Sequence, residues 1–114
     1  MPDDSFTYSS TAGQREGTTI LKLDGPLKLA TIFSFQSEFR AMTPNVLIVD
    51  LSDSPYMDSA GLGLLMNYYV SAQDHGRKIL LAGVNERIQA LLELTKVDGI
   101  LKGYPTVEAA EASL

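Results

Sequence analysis

The chain has 114 residues, fourteen acidic side chains against nine basic ones, a net charge of −5 and no cysteine. The lack of cysteine excludes disulfides, thiolate zinc sites and a cysteine nucleophile. The acidic balance, with its basic residues scattered singly apart from the pair Arg77 and Lys78, opposes binding to phosphate backbones, so no nucleic-acid partner is expected.

The N-terminus, MPDDSFTYSS, carries two acids and no basic segment ahead of an apolar core. It does not read as a signal peptide, and residues 1–4 are expected to be flexible. Apolar runs such as VLIV at 46–49 fall far short of the roughly 20 residues that cross a bilayer, so a cytoplasmic protein without a membrane partner is expected. Segments 5–12 and 18–24, separated by GQREG, are rich in Thr, Ser, Tyr, Phe and Ile, which predicts two strands of an antiparallel hairpin. The DGP at 24–26 closes the second strand, because Pro26 cannot continue a ladder. Ile32, Phe35, Phe39 and Met42 then recur at helical spacing and predict one helix over 31–42, ended by Thr43-Pro44.

VLIVDL at 46–51 is apolar almost throughout, the pattern of a central strand covered on both faces. After the loop SDSPYMD, the positions Leu62, Leu65, Met66, Tyr69 and Ala72 predict a helix from Ser59 that stops at His75-Gly76. A strand KILLAG follows, then a helix capped by Asn85 whose inner face is Ile88, Leu91 and Leu92. A short strand ILKG and a last helix from Thr106, carrying Val107, Ala110 and Leu114, complete the order ββαβαβαβα. The expectation is a single domain over 1–114 of α/β class. Its mixed sheet has about five strands, an N-terminal antiparallel hairpin and later strands largely parallel, with about four helices.

The loop SDSPYMD lies at the carboxyl end of the central strand, where open α/β sheets place their sites, and it delivers Asp58 and Ser59 to a helix start. A nucleophile elbow needs Gly-x-Ser-x-Gly, but Met57 stands where the first glycine is required. The sole histidine, His75, falls about 24 Å away along the same helix at 1.5 Å per residue and reads as a favourable charge near the helix C-terminus. A phosphate loop needs a lysine after its glycines, and none follows Gly61 or Gly63. Asp50, Asp53 and Asp58 could hold Mg²⁺ but read more simply as solvated loop acids, so no metal or cofactor is expected. Two readings stay open: Asp58 or Ser59 as an N-cap, with Gly61 and Gly63 allowing close packing, or Ser59 as a hydroxyl suited to carry a covalent phosphate at a helix N-terminus.

VLIVDLSDSPYMDSAGLGLL resembles the strand, D-L-S and M/I-D-S-x-G-L-G pattern of the STAS domains, and within them of the bacterial anti-sigma factor antagonists. GRKILLAGVNERIQALLELTKVDGIL resembles the strand, helix and strand that follow, so the likeness covers about residues 15–112. The resemblance implies the STAS fold and a non-enzymatic partner-switching protein. Its unmodified form binds an anti-sigma factor that is also a serine kinase, which frees a sigma factor; a serine phosphatase reverses the modification. Ser59 matches the phosphorylated serine, framed by Asp58, Gly61, Leu62 and Gly63. Asp53, Tyr56 and Lys28 complete the expected partner-binding set, with Leu62 and Tyr56 as candidate exposed apolar contacts. Antagonists commonly carry an acid in a G-x-L-D pattern after the second strand, whereas this chain reads GPLK, which resembles the GPL of transporter-attached STAS domains. The alternative is therefore a constitutive scaffold or transport-complex subunit with Ser59 as a helix cap only.

Overall fold

The computed structural model describes residues 6–114. Five strands form one sheet in sequential order: β1 (Thr7–Ala12), β2 (Thr18–Asp24), β3 (Val46–Asp53), β4 (Lys78–Ala82) and β5 (Gly103–Tyr104). β1 pairs antiparallel with β2, from Thr7 opposite Asp24 to Ala12 opposite Thr19. The other pairings are parallel, as the alternation of strands and helices requires. The start expected at Ser5 and the flexibility expected for residues 1–4 lie outside the described residues.

β3 is covered on both faces, as its continuous apolar run predicts. Leu47, Val49 and Leu51 point into a core built with Leu21, Leu23, Leu81 and the inner faces of the crossover helices. Ile48 points the other way, with Ala82 and Ala110. Ala110 belongs to α5 (Val107–Ala112), so this helix covers the second face. Glu111 of the same helix accepts the backbone N–H of Gln14 at 2.7 Å and of Arg15 at 3.2 Å, tying the hairpin turn to the far end of the chain.

The helix expected over 31–42 is broken in two. α1 (Leu29–Ile32) is a single turn and α2 (Gln36–Ala41) follows after residues 33–35. Side chains compete with the helical ladder there. Ser34 Oγ donates to the Thr31 carbonyl at 3.1 Å, while Thr31 Oγ1 belongs to the start of α1, where it accepts the Lys28 N–H at 3.0 Å and donates to the Pro26 carbonyl at 2.7 Å. The apolar stripe survives the break, because Ile32, Phe35 and Phe39 are all buried. Phe35 sits at the joint with its ring centroid 5.4 Å from that of Phe6, 4.9 Å from Tyr8 and 5.1 Å from Phe39, so aromatic packing anchors the joint in the core.

Smaller departures follow the same logic. β3 runs to Asp53, two residues beyond the expected strand. The fifth strand is Gly103–Tyr104 and not ILKG: Ile100 and Leu101 both donate their N–H to the Val97 carbonyl, which makes a turn that drops Leu101 into the core. Leu114 lies beyond the end of α5. α3 (Ser59–Asp74) and α4 (Glu86–Leu94) start where expected. His75 closes α3, its Nδ1 lying 2.8 Å from the Ser71 carbonyl oxygen, and Gly76 follows at φ 71°, the left-handed conformation that a glycine accepts without cost from a side chain.

Candidate functional site

The loop from Ser54 to Asp58 leaves the carboxyl end of β3 and is held from two sides. Ser54 Oγ, buried, donates to the Gly25 carbonyl at 2.7 Å. The segment after the Gly25 turn runs beside the loop: the Leu27 N–H donates to the Tyr56 carbonyl at 3.1 Å, and the Asp58 N–H donates to the Leu27 carbonyl at 3.2 Å. From the other side, Asn85 Nδ2 donates to the Pro55 carbonyl at 3.0 Å while its Oδ1 caps α4 by accepting the Ile88 N–H at 2.9 Å. Asn85 was legible as a cap, but its second task depends on a loop 30 residues earlier.

Asp58, not Ser59, is the N-cap of α3. Its Oδ1 accepts the Gly61 N–H at 3.0 Å, and its Oδ2 accepts the N–H of Leu29, the first residue of α1, at 3.1 Å. One carboxylate therefore serves two helix starts. Partial burial pushes its carboxyl up, yet hydrogen bonds from the N–H groups of Gly61, Leu29, Ala60 and Asp58 itself outweigh this and hold it below the usual carboxylate range. Ser59 is the first helical residue and is exposed. Among the described residues its hydroxyl has no hydrogen-bond partner.

The two glycines after Ser59 play opposite parts. A Cβ at Gly61 would collide with the Leu27 carbonyl oxygen, so this glycine lets α3 close against the 25–28 segment. At Gly63 a Cβ would meet nothing within 4 Å, so the close packing expected of it is absent and the position faces open space. Leu62, a candidate exposed contact, is 7% exposed and belongs to the core. Its side chain seats α3, while Ser59 and Gly63 stay outside, one turn apart.

Lys28 and Tyr56 meet at this end of the sheet, with Lys28 Nζ 5.7 Å from the Tyr56 ring centroid. Arg87, which nothing local in the sequence marks, brings its guanidinium carbon to 5.0 Å from the same ring. Leu29 and Phe33 are 55% and 68% exposed, and α1, which begins at Leu29, packs against α3. Asp53 is turned elsewhere: its carboxylate pairs with Lys22 Nζ at 3.1 Å, and this contact raises the Lys22 pKa. Asp50 accepts the Ser52 N–H at 3.0 Å. The three acids of this region thus have separate tasks, and among the described residues no three metal-ligating side chains gather. Nor is any described helix long and apolar enough to cross a membrane.

A sequence model of the STAS domain matches residues 10–110. The anti-sigma-B factor antagonist of Listeria monocytogenes is 33% identical over 57 residues, which are 50% of this chain and 50% of that protein. The alignments span 50–65% of the length of the curated relatives that the chain matches. A crystal structure of a Thermotoga maritima protein, provisionally named an anti-sigma factor antagonist, superposes with a TM-score of 0.79 at 26% identity, covering 93% of this chain and 92% of that one. A sulfate transporter family protein of Wolinella succinogenes has the same fold, with a TM-score of 0.76 at 22% identity over 87% of this chain and 85% of that one.

Proposed function

Because the chain belongs to the STAS domain family, we propose that it is an anti-sigma factor antagonist switched by phosphorylation of Ser59. In this reading the unmodified protein binds an anti-sigma factor that is also a serine kinase and thereby frees a sigma factor in the cytoplasm of a bacterium. The kinase phosphorylates Ser59, the complex dissociates, and a serine phosphatase restores the binding form. The antagonist catalyses no reaction. Partner contact involves Ser59, Gly63, Tyr56 and Lys28 directly, with Asp58, Gly61 and Leu62 shaping the helix start and Asp53 at the edge of the surface.

The observation that supports this best is the division of labour at the start of α3. Asp58 already fills the capping role, and among the described residues the exposed Ser59 hydroxyl has no hydrogen-bond partner. The alternative scaffold reading gave Ser59 the capping role, which Asp58 fills here. A phosphate on Ser59 would carry a charge of about −1.5 to −2 beside the positive end of the α3 dipole, changing the surface without unfolding the helix. Incubation of the protein with its cognate anti-sigma factor kinase and ATP, followed by mass spectrometry, tests the proposal. One phosphate mapped to Ser59, absent in Ser59→Ala, is the expected result; no phosphate, or one elsewhere, contradicts it.

A further inference from the structure

A cleft of about 250 Å³ lies where α2, the second half of α3 and the link into β4 meet, lined by Arg40, Asn67, Tyr68, Ser71 and Arg77. Tyr68 is buried, and its hydroxyl donates to the Met42 carbonyl at 2.9 Å. Arg77 lies over the Tyr68 ring with its guanidinium carbon 5.8 Å from the centroid, and its Nη1 donates at 3.4 Å to both the Met42 carbonyl and the Tyr68 hydroxyl. These contacts satisfy the carbonyl at the end of α2 and fix the guanidinium through one of its three nitrogens. Among the described residues, Nε and Nη2 of Arg77, the guanidinium of Arg40, the Asn67 amide and the Ser71 hydroxyl have no hydrogen-bond or ion-pair partner. No carboxylate lines the cleft. Glu38, two residues from Arg40, lies in a separate hollow with Tyr8 and Leu21, and Asp74, three residues beyond Ser71, forms no ion pair with either arginine. Two guanidiniums, an amide and a hydroxyl therefore share one cleft without a counter-charge.

We infer that this cleft binds a phosphomonoester. A guanidinium presents its N–H groups as a planar fork that pairs with phosphate oxygens two at a time, and two of them answer a group carrying about −1.5 to −2 charges. A single carboxylate would leave one arginine unmatched. The Asn67 amide and the Ser71 hydroxyl supply donors for the remaining oxygens. Bracing against Tyr68 holds Arg77 in place before a ligand arrives, which reduces the side-chain entropy lost on binding. The volume suits a phosphate with a small organic group, since clefts that enclose larger ligands run to roughly 300–1,000 Å³. Asn67 follows Ser59 by two turns of α3, about 12 Å at 1.5 Å per residue, so the cleft is separate from the start of that helix. The inference is independent of the antagonist reading and of any modification at Ser59.

The test titrates the full, ¹⁵N-labelled chain at constant ionic strength with glycerol 3-phosphate, a short phosphoserine peptide, inorganic phosphate and, as a control anion, acetate. A phosphomonoester is expected to shift the side-chain Nε–H signals of Arg40 and Arg77 and the amide signals at 67–71 in a saturable way, and acetate to leave them in place. Arg40→Gln removes a guanidinium that makes no described contact, so it should melt like the parent and bind at least about fivefold more weakly. Arg77→Lys keeps the charge but loses the fork, and a several-fold loss is expected. If Arg77→Lys does not fold, Arg40→Gln alone carries the comparison. Tighter binding of glycerol 3-phosphate than of the peptide assigns the cleft to a free metabolite, and the reverse order to a phosphorylated segment; either upholds the inference. No saturable shift up to about 50 mM of either ester, shifts confined to other residues, equal shifts with acetate, or unchanged affinity in Arg40→Gln overturns it. So does binding of inorganic phosphate alone with neither ester bound.

Discussion

At the residue scale, neighbouring oxygens at the start of α3 have different fates. Asp58 caps two helices at once, whereas Ser59 caps none. Ser59→Ala should therefore leave the melting temperature within error of the parent, while Asp58→Ala should cost about 0.5–2 kcal/mol, read by urea unfolding. The depressed pKa of Asp58 adds a pH dependence with a definite sign. Its folded value lies below its unfolded value of about 3.9, so its contribution is fully present above that pH and is lost as pH falls through the folded pKa. Asp58→Asn keeps a capping oxygen and cannot titrate; its stability should fall less steeply than the parent's below about pH 4, in unfolding measured as a function of pH. The residues Asp58 and Ser59 are both good caps by type, and the sequence left the choice between them open. The second oxygen of Asp58 accepts the Leu29 N–H, a partner 29 positions earlier that no local pattern displays.

At the element scale, the glycines of α3 make a matched pair of experiments. Gly61→Ala drives a methyl into the Leu27 carbonyl and must separate α3 from the 25–28 segment, so a loss of more than about 1 kcal/mol is expected on unfolding. Gly63→Ala meets nothing and gains helix propensity, so stability should rise by up to about 1 kcal/mol. If Gly63 is part of the partner surface, the same substitution weakens kinase binding, and calorimetry beside unfolding separates the two effects. The helix pattern was readable in the sequence wherever period and caps agreed, as in α3 and α4. It misled at residues 31–42, where Ile32, Phe35 and Phe39 keep helical spacing across a segment that is not one helix. Burial sets that spacing; at the break the Ser34 hydroxyl bonds the Thr31 carbonyl. The last strand failed for a related reason, since ILKG is apolar enough for a strand but its start is used by a turn at Val97.

At the scale of the whole molecule, a sheet in sequential order sends each parallel strand toward the same end, where Gly25, the 54–58 loop and Asn85 meet. The strand VLIVDL revealed the centre of that sheet from its composition alone, and the loop after it marked the candidate site. Arg87 was hidden because its contact with Tyr56 exists only once α4 is folded against the loop. α5 closes the other face and holds the hairpin through Glu111, so Glu111→Ala should speed amide exchange at Gln14 and Arg15 while leaving exchange around Ser59 unchanged. The fold thus separates what stabilises the sheet from the surface proposed to meet a partner. The most direct measurement of the central claim is titration calorimetry of the cognate anti-sigma factor kinase against unmodified protein, Ser59→Ala and Ser59→Asp, without ATP. The account predicts that Ser59→Ala binds like the parent and that Ser59→Asp, equally folded, binds at least about tenfold more weakly. Equal affinities for the two variants would contradict it.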